Sequence, residues 1–245
     1  MSGHSKWNNI AKRKGANDAK KAAIFTKIGR KMAVAIKEGG SNNPDNNAKL
    51  RDCIAEAKAN NVPNDNIKRM LDKGNQSNVS YESNTYEGYG PSGIAVICET
   101  LTDNRNRTVA DVRHYFDKYG AGLGNAGCVS WQFEQKGVLI IERGDLDEDE
   151  TMMTVLDAGA DDLQADEDCF QIYTAPEDFS AVRDALTEAG FEFAQAEIQM
   201  VPQNTITLES QEDMAQLRKL LDSLEDNDDV QHVWHNWENE DEYEE

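Results

Sequence analysis

Charge is segregated along this chain more sharply than anything else in it, and that segregation limits how it can fold. Residues 1–37 hold ten Lys/Arg against one acid, Asp18, a net of +9. Residues 38–78 are neutral, and residues 79–245 carry nine basic and 39 acidic residues, a net of −30. Neither block can be buried unpaired, because an isolated charge taken out of water is too costly. The basic segment can dock on the acidic body of its own chain or serve an external polyanion. Sign asymmetry of this kind points to a basic arm for nucleic acid, even though the whole chain sums to −21.

The arm comes first. Residues 1–16 are small, polar and basic, with Gly3 and Gly15, and read as extended. A helix is expected over 17–38, stopped by Gly39-Gly40. Phe25, Ile28, Met32 and Ile36 recur at three- and four-residue steps and give it one apolar stripe. Lys20, Lys27 and Lys31 fall in a narrow arc away from that stripe, and Arg30 and Lys37 in a second arc beside it. Pro44 suits the first turn of a second helix running to residue 60, with Leu50, Ile54 and Ala57 inward. Pro63 opens a third, with Ile67, Met70 and Leu71 inward and Gly74 as its stop.

Residues 75–92 are polar and turn-rich and mark a boundary. An edge strand is expected within 79–87. Beyond Gly93 the pattern mixes strands and helices, with strands expected at 94–101, 128–133, 137–142, 162–165, 169–173, 191–200, 205–208 and 230–234. Helices are expected at 107–118, 147–156, 176–189 and 211–224. The order parses as two nested β-α-β-β-α-β units of the ferredoxin-like kind. The fold class is therefore α+β: an N-terminal three-helix bundle followed by two nested ferredoxin-like α+β domains. The expected domains are a basic arm and helical domain at 1–78, a split α+β domain at 79–134 plus 204–237, and an inserted one at 135–203. Residues 238–245, with six acids in eight positions, read as a disordered acidic tail.

Most motifs that suggest chemistry fail on context. Gly122-Leu123-Gly124-Asn125-Ala126-Gly127 matches a dinucleotide fingerprint, but a helix precedes it and a strand follows, the reverse of what pyrophosphate binding needs. Asp145-Leu146-Asp147-Glu148-Asp149 begins like a calcium loop, but the sixth and twelfth positions are Glu150 and Leu156. His232 and His235 would point to opposite faces of a strand. The cysteines, Cys53, Cys98, Cys128 and Cys169, lie too far apart for a zinc knuckle and read as reduced thiols. No nucleophile-elbow or phosphate-loop motif occurs. No enzyme activity, cofactor, metal or small-molecule substrate is expected. No apolar run is long enough for a membrane helix, and Met1–Trp7 has no apolar core for a secretory signal. The chain reads as a soluble, cytoplasmic monomer.

One cluster remains. Asp103-Asn104-Arg105-Asn106-Arg107-Thr108 joins a strand to a helix, with Arg113 downstream. Arginines at a helix start meet phosphate well, although they can equally pair with neighbouring acids. Tyr86 and Tyr89 offer either stacking faces for bases or packing within a sheet. The candidate nucleic-acid-binding residues are Lys6, Lys12, Arg13, Lys14, Lys20, Lys21, Lys27, Arg30, Lys31, Arg105 and Arg107.

Gly3-His4-Ser5-Lys6-Trp7, Ala16-Asn17-Asp18-Ala19-Lys20 and Ile24-Phe25-Thr26-Lys27 follow one another here, as do Tyr86–Gly90, Leu101–Thr108, Lys118-Tyr119-Gly120 and Phe133–Gly137. In these segments, spread over nearly the whole chain, the sequence resembles the YebC family. Ala11, Asn9, Lys14 and Gly15 are local departures. The resemblance implies a helical N-terminal domain, two α+β domains and no catalysis. It also implies DNA-binding transcriptional control for bacterial members and translational activation, linked to the ribosome, for relatives. The residues leave the polyanion open. The cationic face of the first helix is nearly all Lys, which suits phosphate better than base edges and fits ribosomal RNA as well as DNA. A protein–protein adaptor working through the acidic domains is the third reading, separable by the absence of salt-dependent binding to bare nucleic acid.

Overall fold

Three helices come first in the computed structural model, which describes residues 18–76 and 79–243, with side chains from 21–74 and 79–243. Helix α1 spans Asp18–Gly39, α2 Ala48–Ala59 and α3 Asn64–Gln76. The α1 stripe closes a core of Ile28, Met32 and Ile36 against Leu50, Ala57, Val62 and Ile67. Buried Asn47 fixes the α1–α2 turn. Its Oδ1 accepts from Leu50 N at 3.1 Å, capping α2, and its Nδ2 donates to Ala35 O at 2.8 Å and Ser41 O at 2.9 Å. Pro44 starts a separate 3₁₀ turn, Pro44–Asn46, rather than α2 itself. Gly74 does not end α3. It lies within the helix, where a Cβ would come 2.8 Å from Ile36 Cδ1, so it lets α3 close on α1.

The outer α+β unit is built from β1 (Glu82–Tyr89), β2 (Ala95–Thr102), α4 (Arg105–Tyr119), α7 (Gln211–Glu225) and β7 (Val230–His235). Its sheet is antiparallel in the order β1-β2-β7. Val96 and Cys98 of β2 meet Val112 and Phe116 of α4 and the leucine face of α7, Leu217, Leu220, Leu221 and Leu224. Two expected strands differ here. Residues 128–133 lead through a 3₁₀ turn, Ser130–Gln132, directly into the next sheet, and 205–208 make a single parallel bridge, Ile206 to Trp237. The place beside β2 that a third ferredoxin strand would take is filled by β1.

The inner unit runs β3 (Phe133–Glu142), α5 (Glu148–Asp157), β4 (Asp162–Ala165), β5 (Cys169–Thr174), α6 (Phe179–Glu188) and β6 (Phe193–Pro202). Its sheet order, β4-β5-β3-β6, all antiparallel, is ferredoxin-like. Alternation along β3 sends Leu139 and Ile141 to the helices and Val138 and Ile140 to the opposite face.

The acidic segment is ordered as far as Tyr243, which corrects the expectation of a disordered tail. Asn239 Oδ1 accepts from Leu208 N at 2.9 Å and its Nδ2 donates to Leu208 O at 2.9 Å. Glu240 is buried against Arg218, and Trp237 is fully buried, its indole N–H donating to Asn239 Oδ1 at 3.0 Å. Six acids in eight positions read as solvated, but two of these residues are anchored by amide and guanidinium partners distant in sequence. Among the described residues, no helix is long and apolar enough to cross a membrane.

Candidate nucleic-acid interface

Lys27, Arg30 and Lys31 stand three and four positions apart and so share one face of α1. That face is turned toward the acidic body. Lys27 Nζ donates to Glu225 O, the last residue of α7, at 2.5 Å. Arg30 Nη1 donates to Asp228 O at 2.6 Å and Asp229 Oδ1 at 2.7 Å. Lys31 Nζ donates to Glu56 Oε1 at 2.9 Å and to His232 Nε2 at 2.9 Å. The other ring nitrogen of His232, Nδ1, lies 3.9 Å from Glu197 of the inner unit. Burial disfavours the Lys31 ammonium, but Glu56 outweighs it and the net pKa is raised.

Asp229 is the centre of this contact. It is 3% exposed. Arg107 Nη2 donates to its Oδ2 at 2.8 Å and Arg107 Nε at 3.3 Å, while Arg30 holds Oδ1. The hydroxyls of Thr102 and Thr108 lie 3.2 and 2.7 Å from Oδ2. Burial pushes this carboxyl up, yet the hydrogen bonds from Arg107, Thr108 and Arg30 prevail and hold it below the ordinary carboxylate value. One buried carboxylate thus clips α1, the start of α4 and the turn before β7. A second clip joins α2 to the inner unit, where buried Arg183 donates to Asp52 Oδ1 and Asp184 Oδ1, both at 2.9 Å.

The sequence-predicted residues separate into three groups. Lys6, Lys12, Arg13 and Lys14 lie outside the described residues, as does the side chain of Lys20, whose backbone is in α1. Lys21 and Arg105 are exposed. Lys27, Arg30, Lys31 and Arg107 are partnered within the chain, so the cationic arc of α1 expected to face outward is, from Lys27 on, an internal interface. For Arg107 the pairing with acids is the outcome realised, since Asp103 Oδ1 also accepts from it at 3.0 Å. Tyr86 and Tyr89 belong to β1, Tyr86 against the outer core and Tyr89 donating its hydroxyl to Cys128 O at 3.1 Å. Sequence reasoning missed Asp229, which looks like one more acid in the run Asp226–Asp229.

The glycine-rich loop is organised around a carboxylate of the chain itself, Glu87. Buried Glu87 accepts from Gly127 N at 2.8 Å and from Val129 N and Ser130 N at 2.9 Å. Burial raises its pKa, but those three N–H donors lower it further. Gly122 and Gly127 have φ of +99° and +86°, and a Cβ on Gly124 would come 2.4 Å from Cys128 Sγ.

Residues 5–77 match the model of the TACO1/YebC protein N-terminal domain, and residues 81–237 that of the TACO1/YebC second and third domain. The chain belongs to the TACO1/YebC family. A relative from Clostridium tetani, named a probable transcriptional regulatory protein, is 56% identical over 93% of each chain. One of the same name from Ruminiclostridium cellulolyticum is 53% identical over 92% of each. A solved structure of a conserved hypothetical protein from Aquifex aeolicus superimposes with a TM-score of 0.80 at 39% identity, covering 90% of this chain and 91% of that one. In this TACO1/YebC chain the segment Leu101–Thr108 surrounds Asp229, with Thr102, Arg107 and Thr108 supplying its partners and Asn104 Oδ1 capping α4 at Arg107 N, 3.2 Å away.

Proposed function

We propose that this chain is a non-enzymatic, nucleic-acid-binding regulator of gene expression, a DNA-binding transcriptional regulator of the kind its relatives are named for. It works as a cytoplasmic monomer. The observation that carries the reading is the charge partition: a net of +9 in residues 1–37 beside a body of −30. Among the described residues, Lys27 and Arg30 of α1 meet the body, and Lys31 meets Glu56 and His232. Upstream of that clip stand Lys6, Lys12, Arg13, Lys14, Lys20 and Lys21, and these are the proposed phosphate contacts, with Arg105 as a further one. Lys27, Arg30, Lys31 and Arg107 instead fix α1 against the body, so that the arm is presented from a defined point. Asp229 and Glu87, two carboxyls held below the ordinary value, are engaged in holding loops and helices, which supports a binding rather than a catalytic role.

A second reading, a translation factor bound to ribosomal RNA, is favoured by the lysine content of the arm: five of those six upstream cations are Lys, suited to phosphate without base discrimination. Fluorescence anisotropy with a labelled DNA duplex and a labelled RNA hairpin tests both. Deleting residues 1–16 abolishes binding to either probe while the melting temperature holds. Retained binding would refute the arm as the contact. Crosslinking in cells, followed by sequencing of the bound nucleic acid, separates promoter DNA from ribosomal RNA.

A further inference from the structure

Six large apolar side chains are exposed among the described residues: Val79, Trp131, Leu146, Met153, Leu156 and Ile198. Three of them belong to α5 and the turn that leads into it. Met153 is 67% exposed, Leu156 46% and Leu146 41%. The packing of α5 accounts for their exposure. Its buried residues are Thr151 and Val155, and Val155 enters the core of the inner unit. At about 100° per residue, Met153 points directly away from that pair, with Leu156 about 60° to one side. Leu146 immediately precedes the N-cap, Asp147, whose Oδ1 accepts from Glu150 N at 3.0 Å. The outward face of a surface helix is normally polar, yet here a methionine stands at its centre.

The setting of these side chains is anionic. Residues 142–168 contain twelve acids and one cation, Arg143, which pairs with Glu148 at 3.0 Å. On the outward face, Asp149 and Leu156 lie to one side of Met153, and Glu150 and Asp157 to the other. Asp145, Asp149, Glu150 and Asp157 have no cationic partner among the described residues. Acids in the first turn of α5 suit the helix dipole, but Asp157, its last residue, opposes it, so helix stability does not account for that carboxylate. Phosphate is repelled by such a surface. A segment that carries apolar and cationic side chains together gains from both parts of it, as amphipathic helices do on a complementary face. Methionine, unbranched and polarizable, adapts to the shape of what docks on it. We propose that the outward face of α5, centred on Met153 and Leu156 and bounded by Asp149, Glu150 and Asp157, docks a basic amphipathic segment of a partner protein. The arm and this face then serve different partners, and the inference goes beyond the nucleic-acid reading without depending on it.

The test titrates the full chain with a fluorescent peptide of about 18 residues, with Leu at three- and four-residue spacing and Lys elsewhere, long enough to form a helix. A control peptide has Ser in place of every Leu. The Leu/Lys peptide should bind and shift the Met153 signal of methyl-labelled methionine in NMR spectra, leaving those of buried Met32 and Met214 in place. Met153→Ser combined with Leu156→Ser leaves every charge intact. It should raise the Kd of the Leu/Lys peptide at least about tenfold with the melting temperature unchanged. Ile198→Ser, which removes an exposed apolar residue of β6, should leave that Kd at the wild-type value. If the Leu/Lys peptide does not bind, if the Ser control binds as tightly, or if the double variant keeps wild-type affinity, α5 is not a docking face and the proposal is overturned. If the free chain self-associates in analytical ultracentrifugation and the double variant abolishes that association, the occupant is a second copy, and the proposal of a distinct partner is likewise overturned.

Discussion

Replacing Asp229 with alanine removes the acceptor shared by two guanidiniums and two hydroxyls. Its side chain is 5% exposed and that of Arg30 17%, so Arg30 loses its partner where water reaches it poorly. Arg107 is 48% exposed and recovers most of its solvation, with Asp103 still in reach. Breaking a fully buried pair by removing one partner costs about 3–5 kcal/mol. With one of the two arginines able to resolvate, the expected loss here is about 2–4 kcal/mol. For a chain of this size that lowers the melting temperature by roughly 5–12 °C, read by differential scanning calorimetry. Asp229→Asn retains an oxygen for Thr108 and costs less. A cycle with Arg30→Ala shows coupling above about 1 kcal/mol, since the two side chains are in contact. The pH dependence has a definite sign. A carboxyl whose pKa is lowered by folding stabilises the fold above its unfolded value, near ~3.9, and loses that contribution as the pH falls through its folded value. The stability difference between wild type and Asp229→Asn should therefore hold above about pH 4 and shrink as the pH falls below it, through the folded value. A melting temperature for Asp229→Ala within a degree or so of wild type, with no coupling to Arg30, would refute the clip.

The two arginines of the α4 start should behave differently: Arg107→Ala lowers the melting temperature by several degrees, whereas Arg105→Ala leaves it unchanged, and equal effects in a thermal melt would contradict the assignment. Glu87→Gln keeps the shape but removes the charge that three backbone N–H groups share, at a cost of about 1.5–3 kcal/mol. Hydrogen exchange should accelerate at Gly127, Val129 and Ser130 specifically.

The helices were legible because their apolar residues repeat at helical spacing over long stretches, as Ile28, Met32 and Ile36 do in α1. The inner unit was legible because β3 and β5 are short apolar runs separated by a helix with its own stripe. Residues 128–133 have the pattern of a strand, and Val129 and Phe133 within them are buried. Apolar burial alone does not distinguish a strand from a turn tied down by Glu87, some 40 residues away in sequence. The inward face of α1 was unreadable for a related reason. A lysine and arginine arc has the same pattern whether its partner is a phosphate or Asp229, nearly 200 residues downstream, and only the fold brings that carboxylate to Arg30. The same holds for the terminal acids, where Glu240 pairs with Arg218 across a turn of the chain.

The most direct test of the nucleic-acid reading is the salt dependence of binding by the intact chain. Six upstream cations, each displacing counterions from one phosphate, predict a log–log slope near −4 to −5 in anisotropy titrations from low to moderate salt. Deletion of residues 1–16 should eliminate the binding. A slope near zero, or binding that survives the deletion with its slope intact, would contradict the proposal that the basic arm holds nucleic acid.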